Sequence, residues 1–321
     1  MATSPQTPES ILRRLDWTVI RRLDGLLQGD YRSLFRGTGL DLADLREYQY
    51  HDDIRHIDWN VTARVQTPYV REYHEDREVT VWFLLDLSPS MDFGSGSIDK
   101  RAQLADFVAL MARLFTRSGN RVGALLYGSQ VDKVIRPQSG RKHLLHLIDQ
   151  VQKHPALPVA PATHLGDLLT AAHHATKRRS IFFVVSDFIS TPGWEKPLGL
   201  LAQRNEVTAV RLIDPLEQSI PNLGLVVLQD AETGEQITVD TNDKAFRKRF
   251  EAQALAHEES IVGSLISAGV DVLELSTDDD LLDAVVRFID MRRLQANGAS
   301  ASATAMPDHL NSATTSATTT Q

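Results

Sequence analysis

The chain reads as a doubly wound α/β protein with a mostly parallel sheet, and three observations predict it. Val81-Trp82-Phe83-Leu84-Leu85 and Ile181-Phe182-Phe183-Val184-Val185 are apolar runs without period-2 alternation, the pattern of central strands covered on both faces. Segments of helical periodicity alternate with such runs from residue 79 onward. Both runs lead into carboxylates, Asp86 and Asp187, where a parallel sheet gathers ligands beyond its strand ends.

Residues 9–28 place Ile11, Leu12, Leu15, Val19, Leu23, Leu26 and Leu27 at helical spacing, and Gly29 is positioned to end that helix. Residues 1–29 are therefore expected to form an N-terminal amphipathic helix. Residues 30–78 hold short apolar pieces among arginines and acids, and predict an irregular, strand-containing extension. The doubly wound unit spans 79–294. Strands are expected at 79–86, 121–127, 131–135, 180–186, 206–213 and 270–276. Helices are expected at about 99–118, 140–153, 164–177, 194–204, 243–268 and 278–294. Two apolar runs around Ala231-Glu232-Thr233-Gly234-Glu235 predict a β-hairpin inserted at 224–240. Residues 295–321 are rich in Ala, Ser and Thr without periodicity and predict a disordered tail.

With 321 residues and 42% hydrophobic content the chain is able to bury a large core. A formal charge of -8 argues against general affinity for nucleic-acid phosphate. The absence of cysteine excludes disulfides, thiol catalysis and zinc-thiolate sites. No segment approaches the roughly 18 apolar residues needed to cross a bilayer, and the first residues do not have the form of a secretion signal. The expected location is cytoplasmic.

Asp86-Leu87-Ser88-Pro89-Ser90 sets one carboxylate and two hydroxyls on alternate residues, so an extended backbone would present all three toward one point. Hard cations such as Mg2+ prefer oxygen ligands of this kind. Asp187 ends a second buried strand on the same sheet edge, and Thr163 offers a hydroxyl where a loop enters a helix. Each has an ordinary alternative: turn and cap hydrogen bonds for Asp86 and its serines, an N-cap for Thr163, solvation or capping for Asp187. Three oxygen-bearing loops at mutually consistent positions favour a shared site.

This set, Asp86-x-Ser88-x-Ser90 with Thr163 and Asp187, resembles the metal-ion-dependent adhesion site of von Willebrand factor A domains. Gly37-x-Gly39, Leu45-Arg46-x-Tyr48, Asp52-Asp53-x-Arg55-x-Ile57-Asp58-Trp59 and Ala63-Arg64 resemble the signature of the bacterial family named domain of unknown function fifty-eight. The likeness covers roughly residues 30–290. It implies a von Willebrand factor A-like fold, an Mg2+ site (with Mn2+ as the alternative ion) and a MoxR-type AAA+ ATPase as working partner. Further implications are a client engaged through an acidic residue, and recognition rather than turnover. The chain departs from the pattern at Asp41-Leu42, His51, Ala162 and Phe188, the last three standing where glycine is usual.

Alternatives remain beside that reading. An aspartyl-phosphate phosphotransferase would use Asp86 as nucleophile, but it needs an acid/base group two residues on, where Ser88 stands. A metal-free scaffold of the same fold is the other. Gly94-Ser95-Gly96-Ser97 lacks the ending of a phosphate loop and reads as a connection into the next helix. In the extension, Arg46, Asp52, Asp53, Arg55, Asp58 and Arg64 are expected to form internal ion pairs and backbone caps, with Trp59 as a packing anchor.

Overall fold

The computed structural model describes residues 7–10, 12, 42–50, 52, 54, 57–73, 79–96, 98–157, 162–229 and 234–296. The helix expected over 9–28 falls mostly outside these residues, and so does the tail from 297 onward.

Six strands form the main sheet: β3 (Thr80–Asp86), β4 (Arg121–Tyr127), β5 (Val131–Gln138), β6 (Ile181–Ser186), β7 (Glu206–Ile213) and β10 (Asp271–Ser276), in the order β10-β7-β6-β3-β4-β5. All neighbours are parallel except β4 and β5. The apolar run of β3 is continuous because the sheet is covered twice. Val81, Phe83 and Leu85 join one core, with α2 (Lys100–Arg117), α3 (Arg141–Gln152) and α8 (Leu281–Ala296). Trp82 and Leu84 join the other, with α4 (Leu165–Ala175), α5 (Glu195–Ala202) and α7 (Lys244–Ala268). Alternate side chains of a strand point to opposite faces, so a doubly covered strand has no polar side to present.

On the first face Phe183 stacks on Phe83 at 5.5 Å between ring centroids and meets Phe107 and Phe115 at 5.9 and 5.8 Å. At the edge, β5 buries only Ile135 among its apolar residues, and Lys133, Arg136 and Pro137 discourage further pairing. β5 carries a bulge opposite Gly123 of β4, where a Cβ would meet the Ile135 carbonyl at 2.8 Å.

The chain leaves the central strand β3 for β4 on one side, then returns to place β6 on the other. That reversal makes the carboxyl ends of β3 and β6 a topological switch point, the crevice where open α/β sheets bind ligands. The register pairs Leu85 with Val185, which brings Asp86 beside Ser186 and Asp187 just beyond.

Outside the main sheet, β1 (Leu42–Glu47) and β2 (Tyr69–Tyr73) form an antiparallel pair, with α1 (Trp59–Val65) between them in sequence. The expected hairpin is present as β8 (Leu225–Gln229) and β9 (Gln236–Asp240). A short helix missed by periodicity, α6 (Pro215–Gln218), precedes it.

The extension corrects one expectation. Trp59 is 66% exposed rather than a packing anchor. Its neighbour Asp58 turns inward instead, with Oδ1 accepting the Val61 N–H at 3.2 Å to cap α1. Asp52 likewise accepts the Gln49 N–H at 2.7 Å, so two of the expected backbone caps are seen. Arg64 is exposed, while Asp53, Arg55 and the side chain of Arg46 lie outside the described residues.

Candidate metal centre

Asp86 ends β3, and the backbone turns at once. Its Oδ1 accepts the Ser88 N–H at 3.0 Å, and Pro89 opens a short 3-10 turn over Pro89–Asp92. The loop is held on several sides: Leu87 N–H donates to the Tyr127 carbonyl at 2.6 Å, and the Met91 N–H donates to Ser88 O at 3.0 Å. From α2, the Arg101 guanidinium donates to the carbonyls of Leu87 and His154 at 3.0 and 3.1 Å. The Ser88 and Ser90 hydroxyl oxygens lie 3.2 Å apart. The strand alternation expected of this segment does not produce that convergence, because Ser90 already sits in the 3-10 turn.

Thr163 is not the N-cap of α4. That position is His164, and the Ser190 hydroxyl from the loop after β6 accepts the Leu165 N–H at 2.9 Å. The Thr163 carbonyl accepts the Ser190 hydroxyl at 2.8 Å and the Thr191 N–H at 2.9 Å. Tyr127 Oη accepts the His164 N–H at 3.0 Å. The second and third loops are thus fastened to each other and to β4, and Thr163 is held 2% exposed.

At the end of β6, Ser186 donates to Asp86 Oδ2 at 2.6 Å and accepts the Phe188 N–H at 2.9 Å. Asp187 Oδ1 accepts the Ile189 N–H at 3.0 Å. The backbone between them is left-handed: Phe188 has φ 61, a conformation that suits glycine. Its buried ring packs 5.3 Å from Trp194 between centroids, which holds a bulky residue in this place.

Asp86 is wholly buried, and burial together with the nearby Asp187 charge pushes its pKa from 3.8 to about 6. Two interacting carboxylates buried together call for a positive charge. One is supplied by Lys100, the first residue of α2, whose ammonium donates to Asp187 Oδ2 at 2.8 Å and to Glu217 Oε1 at 2.6 Å. Burial opposes the charged lysine, but the two carboxylates outweigh it and raise its pKa above the ordinary value. Glu217 Oε2 in turn accepts the Asp214 N–H at 3.0 Å within a capping box that starts α6. Asp214 is itself buried, accepting the Ser95 N–H and the Thr277 hydroxyl, both at 2.8 Å.

The donor set suits a small hard cation. Neighbouring oxygens of an octahedral Mg2+ site, with bonds of roughly 2.1 Å, stand about 3 Å apart, and the Ser88 and Ser90 oxygens meet that spacing. The five residues singled out by sequence come from three adjoining loops, and each is at most 7% exposed. Among the described residues no group of three or more His, Cys, Asp or Glu is placed to hold a metal, so any ion here would depend on hydroxyls beside two carboxylates.

Sequence reasoning missed Ser186, Ser190, Lys100 and Glu217. Two signals were available. Asp214-Pro215-Leu216-Glu217 is a capping box, and a lysine in the first turn of a helix opposes the macrodipole unless an acid answers it.

The Asp-x-Ser-x-Ser loop thus stands at the switch point of a doubly wound α/β sheet. The chain belongs to the family described as "Protein of unknown function DUF58", whose model matches residues 44–260. Relatives include uncharacterised proteins of Mycobacterium tuberculosis strain H37Rv and Mycobacterium bovis, each 36% identical over 285 residues and matched over 88% of this chain and 89% of theirs. Among solved structures, BatB from Bacteroides thetaiotaomicron aligns with a TM-score of 0.45 at 13% identity, over 67% of this chain and 98% of its own. The SpRpn10 VWA domain aligns with a TM-score of 0.38 at 15% identity, over 66% and 95%. Among the described residues no helix is long and apolar enough to cross a membrane.

Proposed function

We propose that this protein is an interaction adaptor that captures an acidic residue of a partner through a divalent cation. Mg2+ is the expected ion, with Mn2+ as the alternative, held by Asp86, Ser88, Ser90, Thr163 and Asp187. The observation that carries the proposal is the burial of these five oxygen-bearing side chains together at the switch point. When bound, the cation would supply an electrophilic position for a partner's carboxylate oxygen. The protein's own residues supply orientation. Ser88 N–H and the Ser186 hydroxyl fix the Asp86 carboxylate, while Ser190 and Tyr127 fix the loop that carries Thr163.

Membership in the family supports an extension of this reading. The adaptor would work with a MoxR-type AAA+ ATPase in maturing or remodelling a client complex. An aspartyl-phosphate phosphotransferase is disfavoured, because Ser88 cannot serve as its acid/base. A metal-free scaffold is the second reading, and the Lys100 ammonium on Asp187 favours it by supplying a cation from the protein itself.

Affinity capture from the native cell separates the two readings. The full chain should retain an AAA+ ATPase in Mg2+ and lose it in EDTA or as Asp86→Ala. Equal retention under all three conditions would establish the scaffold instead.

A further inference from the structure

Resting on the metal reading above, we infer that Lys100 and Glu217 form a built-in charge regulator that sets the ion affinity of the centre and its preference for divalent ions. Neither residue belongs to the five-residue oxygen set, yet Lys100 is in direct contact with one member of it.

Three observations carry the inference. The Lys100 ammonium is completely buried and lies 2.8 Å from Asp187 Oδ2, so its charge is fixed beside the centre. Glu217 approaches the same ammonium at 2.6 Å and is not free to swing away, since its other oxygen is engaged by the Asp214 N–H. The neighbouring cation Arg211 is engaged by acids of its own, a bidentate pair with Glu258 and a 3.4 Å contact with Glu274. Asp86, Asp187, Lys100 and Glu217 therefore sum to two negative charges, the complement of one divalent ion.

This arrangement separates charge tuning from simple support. Among these four groups Lys100→Met would leave three negative charges, whereas Glu217→Gln would leave one, its single oxygen kept for the lysine at the expense of the Asp214 N–H contact. Charges this close in a low-dielectric crevice shift ion affinity on the order of tenfold or more. The two variants should move affinity in opposite directions, and a trivalent ion should respond more strongly than a divalent one. A residue that only braces Asp187 would give losses in both variants, alike for every ion.

The test is titration of the full-length wild type, Lys100→Met and Glu217→Gln with Mg2+ by calorimetry and with Tb3+ by luminescence. Lys100→Met should bind Mg2+ on the order of tenfold more tightly than wild type, with a larger gain for Tb3+, and Glu217→Gln should bind both more weakly. If Lys100→Met fails to fold, the Glu217→Gln loss and its greater size for Tb3+ still decide the matter. Equal losses for both ions in Glu217→Gln, or weaker binding in a folded Lys100→Met, would overturn the regulator while leaving the metal centre standing. Absence of ion binding in wild type and both variants would overturn the metal reading itself.

Discussion

Lys100 Nζ and Asp187 Oδ2 stand 2.8 Å apart with their side chains 0% and 1% exposed, so the carboxylate expected to face a metal is already engaged by a buried cation. Removing one member of a buried pair strands the other without water. Asp187→Ala should cost about 3 kcal/mol of stability in EDTA, measured by urea denaturation. A cost below about 1 kcal/mol would mean that Glu217 alone satisfies the lysine.

Asp86 predicts a specific pH dependence. Its folded pKa of about 6 lies above the 3.8 expected of the unfolded chain, so the folded state holds the proton more tightly. The stability this confers is fully present below the unfolded value and is lost as pH rises through about 6. The loss is about 3 kcal/mol. In EDTA, wild type should lose stability relative to Asp86→Asn between pH 4 and pH 7 on this basis. Parallel melting-temperature profiles for the two proteins would contradict the assignment. Mg2+ competes with the same proton, so its affinity should fall as the solution is acidified below about pH 6.

Phe188 predicts an inversion of the usual order of substitutions. Phe188→Ala and Phe188→Gly both remove a ring that packs on Trp194, at about 3 to 5 kcal/mol. Only glycine also relieves the left-handed backbone at φ 61, so Phe188→Gly should be the more stable of the two by about 1 kcal/mol. Thermal unfolding of both variants decides it, and an alanine variant at least as stable as the glycine one would refute the strain.

Arg211 on β7 and Glu258 on α7 form a bidentate pair with both side chains 6% exposed. Glu258→Ala alone should cost about 3 to 5 kcal/mol, and pairing Arg211→Met with Glu258→Leu should recover most of that loss. Denaturant midpoints of the single and double variants measure it. Failure of the double variant to improve on the single would show that the pair contributes more than mutual charge compensation.

Much of the fold was legible because its signals are local. The runs from Val81 to Leu85 and from Ile181 to Val185 announce strands covered on both faces, and the packing of their alternate residues into two separate cores explains why. The helix Pro215–Gln218 escaped because four residues are too few to display a period, although its capping box was in view. The oxygen-bearing residues were legible as types, Asp86, Ser88, Ser90 and Asp187 at or just past strand ends and Thr163 at a helix entry. Their supports were not: Ser190 caps α4 from a different loop, and Lys100 meets Glu217 across 117 positions of sequence. Trp59 misled because an aromatic side chain is a good core candidate by type, whereas in this turn the inward position falls to Asp58.

The central claim is that the buried oxygens around Asp86 hold a divalent cation. Calorimetric titration of the metal-free full chain with Mg2+ at pH 7.5, beside Asp86→Ala and with an acidic peptide supplied to both, tests it most directly. One site per chain in the wild type and none in the variant is the expected result. Absence of binding in the wild type, or equal binding in Asp86→Ala, would contradict the claim and leave the fold as a metal-free scaffold.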